Sequence, residues 1–241
     1  MLPYKNKGYT LVEISIVLII IGLLVGGIFS GMKMIDNSNT QKTIQDIKAI
    51  ESAFINFKGV YRFLPGDMPA SATTIPGCAN APCATGGNGN RVLEPATFIG
   101  AITNTSEVYT AWHHLQAAEL INIDTRNTLD TRFGRGQPQS PIGGGYRLSS
   151  TDINMPWGFC ANNFFQGVGI WIGVNQPVNF LDGTSSAAPC RQIQTVDAKI
   201  DDGFPHMGDF TSGWGCDPTT CTGPYENPNR RGVGFYDFKD F

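Results

Sequence analysis

One carboxylate in this chain sits where carboxylates are costly. Residues 9–29 read Tyr9-Thr10-Leu11-Val12-Glu13-Ile14-Ser15-Ile16-Val17-Leu18-Ile19-Ile20-Ile21-Gly22-Leu23-Leu24-Val25-Gly26-Gly27-Ile28-Phe29, and Glu13 is the sole charge among them. A bilayer core takes about 20 apolar residues as helix. A carboxylate at its midplane costs roughly 2.5 kcal/mol or more, and less near an interface. An acid kept there needs a cation. Cleavage after Gly8 would supply one, as a new α-amino group on Tyr9, four residues before Glu13. In a low-dielectric setting that amine attracts the carboxylate strongly, within one chain or between neighbours. The spacing therefore makes Glu13 a candidate for ion pairing with such an amine.

The same stretch resembles the type IV prepilin signature. The resemblance rests on a short basic leader with Lys5 and Lys7, Gly8 at the cleavage point, an aromatic first mature residue, Thr10-Leu11-Val12-Glu13, and the apolar helix that follows. It covers residues 5 to 35 closely, and the family's helical layout continues to about residue 58. It implies that a prepilin peptidase cuts after Gly8 and methylates Tyr9, and that Glu13 pairs with a neighbour's N-terminus during assembly. It also implies a subunit without catalytic activity or cofactor, and as partners other copies, other pilins, and an inner-membrane assembly platform. The chain would sit in the bacterial inner membrane with its head in the periplasm, then move to a pilus at the cell surface. The sequence departs from the family in two places. Tyr9 stands where Phe is commonest, and no proline interrupts residues 10–64. Gly22, Gly26, Gly27 and Gly31 would then provide any softening, since Gly costs about 1 kcal/mol against Ala inside a helix.

Two plainer readings fit less well. A secretory signal has an apolar core of about 7–15 residues and a small-residue cleavage site after it; this run is longer, and no such site follows Phe29. A simple membrane anchor accounts for Lys5 and Lys7 by the positive-inside bias but gives no reason for Glu13. Removing residues 1–8 takes away two lysines, which leaves 15 basic against 20 acidic residues, a net charge of −5. No Lys/Arg-rich run appears, so the footprint of a dedicated nucleic-acid binder is missing. Rivals to a pilus subunit are a type II secretion pseudopilin and a membrane-tethered binding protein that never polymerises.

Six cysteines, at 78, 83, 160, 190, 216 and 221, all follow the apolar segment. In an exported chain an even count reads as disulfides. Six allow 15 pairings, and sequence proximity suggests Cys78–Cys83, Cys160–Cys190 and Cys216–Cys221. The Cys-x4-Cys spacings are wide for a zinc knuckle. Asp197, Asp201, Asp202 and Asp209 gather oxygens within thirteen residues. Calcium takes six to eight oxygen ligands, so these four form a candidate calcium cluster, although solvated acids at a helix C-terminus explain them better. His113 and His114 are adjacent on a predicted helix and point about 100° apart, too divergent to share a metal; one exposed and one partly buried ring is expected.

The elements that position these residues form an α+β, pilin-like layout. It consists of a leader over 1–8, a transmembrane and assembly helix over 9–35, an amphipathic half of that helix over 36–58, and a head over 59–241. In the amphipathic half, Ile44, Ile47, Ile50, Phe54 and Phe57 recur at helical steps and predict a stripe buried against the head. Residues 65–105, rich in Pro, Gly, Ala, Thr and Asn, predict loop, with Gly86-Gly87-Asn88-Gly89-Asn90 as a flexible turn. Ser106 predicts the N-cap of a helix to about Ile121. Residues 143–148 predict a turn into a strand, further strands are predicted at 167–174 and 231–238, and a helix at 189–202 ends before Gly203. The expected head is a small antiparallel sheet with disulfide-stapled loops, packed on the long helix.

Overall fold

The structure, a computed structural model, describes residues 8–94, 102–122, 130–152, 166–174, 187–205, 208–213, 216 and 230–238. The chain divides into two units, Met1–Asn39 and Thr40–Phe241. Helix α1, Leu11–Tyr61, contributes to both. In the first unit its large apolar side chains face outward: Leu11 is 86% and Leu23 79% exposed. A monomeric soluble protein rarely leaves contiguous apolar surface of that extent bare.

In the second unit α1 buries Thr40, Thr43, Ile47, Ile50, Ala53, Phe54 and Phe57, with Ile44 partly buried beside them. This is the predicted stripe with Thr40 and Thr43 added at its start and Glu51 and Ala53 within it. It packs on one face of an antiparallel sheet. The strands are β1 (Gly145–Asp152), β2 (Gln166–Val174), β3 (Ala188–Pro189), β4 (Phe210–Gly213) and β5 (Arg231–Asp237). β1 pairs with β2, and β2 with β5; β3 and β4 also pair with β5. Strand alternation sends Tyr146, Leu148, Ile170, Ile172, Phe210 and Tyr236 into the core with Phe54 and Phe57. The opposite face carries Arg147, Trp171 and Phe235, all buried, with the last two rings 4.6 Å apart.

Two tyrosines fasten the sheet to α1. Tyr146 Oη donates to Asp46 (3.2 Å), which also holds Lys42 one helical turn back. Tyr236 Oη donates to the buried Glu51 (3.2 Å) and accepts from Lys48 Nζ (2.7 Å). Each acid is thus shared between a lysine of its own helix and a hydroxyl from the sheet, which fixes the helix rotation as well as its position.

The smaller helices are α2 (Ser71–Thr74), α3 (Glu107–Ala117) and α4 (Cys190–Ile200). α3 begins after Ser106 as expected, but the Ser106 side chain accepts from Thr103 N instead of capping the helix. It ends at Ala117, before the predicted Ile121, where Glu119 turns left-handed (φ 58°) and Leu120 N closes onto Leu115 O. Every residue from Glu107 to Leu115 is buried. His113 and His114 are therefore both inside, at 5% and 0% exposure, contrary to the expectation of one exposed ring. α4 buries Ile193 and Val196 and is followed by Gly203, as its pattern indicates.

The disulfides correct the expected pairing. Cys78–Cys83 forms as predicted, but Cys190 bonds Cys216, not Cys160, and Cys216 does not bond Cys221. The sheet is the cause. β3 leads directly into Cys190, β4 lies three residues before Cys216, and both strands pair with β5. The two Cα atoms end up 5.2 Å apart despite 26 residues of separation. Closing that loop stabilises by roughly 3–4 kcal/mol on the chain-entropy account. Cys160 and Cys221 lie outside the described residues.

Candidate functional site

Gly8, Tyr9 and Glu13 are all exposed, Tyr9 by 84%, so the Gly8–Tyr9 bond is open to an enzyme. Residues 1–7 lie outside the described residues. The helix start is built by the motif itself. Thr10 O accepts from Ile14 N, the first intrahelical bond, which makes Thr10 the N-cap. Thr10 Oγ1 accepts from Glu13 N (3.3 Å), while Glu13 Oε2 accepts from Thr10 N (2.7 Å) and Thr10 Oγ1 (2.9 Å). This is a reciprocal capping box, and it places the acid in the first turn, where the helix dipole favours negative charge. The Thr-x-x-Glu spacing announces it in the sequence, yet the prepilin reading assigns Glu13 only an intermolecular role. Among the described residues Oε1 of Glu13 takes no hydrogen bond.

Farther along, the segment Leu64-Pro65-Gly66-Asp67-Met68 is entirely buried and organises the Gly/Asn-rich loop. Asp67 Oδ1 accepts from the amides of Gly89 (2.7 Å) and Asn90 (3.1 Å), and Oδ2 from Arg91 (2.7 Å). Glu107 Oε1 accepts from Asn88 N (3.1 Å) and Oε2 from Glu94 N (2.9 Å). Burial holds Glu107 above the ordinary carboxylate range; the two amides oppose that, and Asp67 and Glu94 add to it. Gly66 sits at φ 92°, and a Cβ there would stand 2.3 Å from Glu107 O; a Cβ on Gly87 would stand 2.4 Å from Asp67 Cα. Only glycine fits either place. The predicted flexible turn is therefore a loop held by five backbone amides on two carboxylates.

The acidic cluster assembles in part. Asp197, Asp201 and Asp202 bring one oxygen each within 4.8 Å of one another, while Asp209 is not in that group and lies across from Asp237. Each of the three already accepts a backbone N–H: Asp197 from Gly203, Asp201 from Phe210, Asp202 from Phe204. Those bonds give each carboxylate a structural partner, two in the turn that follows α4 and one at the start of β4. Cys78, Cys83 and His114 also lie together, but the sulfurs are bonded to each other, which removes both thiolates from metal chemistry.

Residues 3–29 match the family model for the prokaryotic N-terminal methylation motif. No curated protein and no solved structure matches the chain. The motif implies processing by a prepilin peptidase and assembly with other pilins, a structural role. With the bare apolar helix and the five-stranded antiparallel sheet, it identifies the chain as a bearer of the prepilin signature shared by type IV pilins and pseudopilins.

Proposed function

We propose that this chain is a structural subunit of a type IV pilus, cleaved between Gly8 and Tyr9, methylated on Tyr9, and assembled into a helical fibre. The carrying observation is the lone acid of the bare helix, four residues from the new N-terminus. Glu13 Oε2 is spent on starting its own helix, and Oε1 faces outward. In the membrane the capping box keeps the carboxylate solvated by Thr10. In the fibre a neighbour's N-terminal amine meets Oε1, and residues 9–35 exchange lipid for other subunits. Such a buried pair is better attested for fixing register than for net stability. From Thr40 onward α1 belongs to the same unit as residues 59–241, a head that faces the periplasm before assembly and the surface after it. Extraction from the bilayer draws on a separate ATPase, because the sequence contains no nucleotide-binding motif.

The second reading is a type II secretion pseudopilin, which shares this N-terminus. Electron microscopy of sheared surface fractions, with mass spectrometry, distinguishes the two. Long fibres containing this chain are expected. Recovery only from membranes, with secretion lost on deletion, would replace the pilus by the pseudopilus.

A further inference from the structure

His114 joins three segments through a ring that only its neutral form can occupy. Nδ1 accepts the N–H of Gly66 (2.8 Å) in the segment following α1. Nε2 lies 2.9 Å from Cys83 O, a carbonyl, so Nε2 carries the proton. The ring stacks on Phe57 of α1, with centroids 6.0 Å apart and planes 9° apart. Cys83 O also accepts from Ser71 Oγ (2.8 Å). Both ring nitrogens are thus committed, one as acceptor and one as donor, at 0% exposure.

We propose that His114 is an acid-operated latch: protonation of Nδ1 turns the acceptor for Gly66 N–H into a second donor and frees the Leu64–Met68 segment from α3. Two N–H groups cannot face each other at hydrogen-bonding distance, so the imidazolium must leave or Gly66 must move. Asp67, the next residue, anchors the amides of Gly89, Asn90 and Arg91. Release at Gly66 therefore loosens residues 86–91 as well. Among the described residues no unengaged acid faces the imidazolium. Phe57 and the bonded Cys83 carry no charge, and the Asp67 carboxylate is engaged with residues 89–91. On α3 itself, His113 packs on Tyr109 (4.9 Å) and would repel a charged neighbour, while Glu107 is tied to residues 88 and 94.

Burial lowers both histidines from 6.5 to about 4, with repulsion by His114 adding to the shift of His113 and the Cys83 carbonyl opposing that of His114. A histidine depressed in the folded state contributes stability that is complete above pH 6.5 and is lost as pH falls toward 4. Asp237, raised to about 6 by burial and by Asp209, works in the opposite sense over the same window, but it lies on β5, away from the latch.

The test is an NMR and amide-exchange titration of the full mature chain in detergent micelles. At pH 7 the His114 ring should show the Nε2–H tautomer. Below pH 5 it should protonate, and protection at residues 64–68 and 86–91 should fall about tenfold or more in step with it, while β2 stays protected. His114→Asn, whose Oδ1 can take the Gly66 N–H but cannot titrate, should make that protection insensitive to pH; His113→Asn should leave the transition in place. Protection kept at 64–68 while His114 is protonated would overturn the latch, as would its loss while His114 is neutral, or simultaneous loss in β2. The wild-type titration decides even where a variant fails to fold.

Discussion

Glu13→Ala is expected to leave the chain inserted in the membrane and to remove it from fibres. Deleting a carboxylate from an apolar span makes insertion easier, by roughly 2.5 kcal/mol or more at the midplane and by less near an interface, where Glu13 lies. The same change removes the capping box with Thr10, at about 0.5–2 kcal/mol of helix stability, which frays one turn of a 51-residue helix. The loss at the fibre is larger. Removing one partner of a buried pair strands the other charge at about 3–5 kcal/mol, so incorporation should fall more than about 100-fold. Glu13→Gln separates the two roles. Gln can serve the capping box but offers no charge to an amine, so it should restore the helix start and still fail to assemble. Immunoblots of sheared and membrane fractions read both variants. Normal fibres from Glu13→Gln would show that capping, not charge, is what the position contributes.

The largest loss of head stability is expected from Asp67→Ala. The fully buried Asp67 receives three backbone amides from a loop more than twenty residues away. Hydrogen bonds to a charged acceptor are worth about 1.5–3 kcal/mol each. Allowing for water reaching the partly exposed loop, the change should cost about 4 kcal/mol. For a head of this size that lowers the melting temperature by roughly 10 °C, measured by circular dichroism under non-reducing conditions. Asp67→Asn retains one acceptor oxygen and should fall between. A shift within a degree or two would mean that the loop holds itself together without the carboxylate.

What was legible depended on how local the cause was. The α1 stripe could be read because Ile47, Ile50, Phe54 and Phe57 repeat at the helical step. β2, β5 and α4 likewise carry their own patterns. β4 is four residues long, Phe210-Thr211-Ser212-Gly213, and its identity comes from pairing with β5, not from periodicity. The burial of both histidines was hidden because α3 is enclosed on all sides, so its polar residues face partners, not water. The Cys190–Cys216 bond depends on two strands meeting a third, which sequence distance cannot express. Asp67 sits in a phrase that looks like a turn, and its role appears only when residues 86–91 fold back onto it. The capping box at Thr10 and Glu13 is the opposite case: its spacing was in plain view, with a second meaning drawing attention first.

The intact mass of the protein recovered from cells tests the central claim most directly. A chain beginning at Tyr9 is expected, shorter by residues 1–8 and heavier by one methyl group on the new α-amine. A mature protein that still carries Met1 through Gly8, or that is cut elsewhere, leaves Glu13 without the amine assigned to it and contradicts the account.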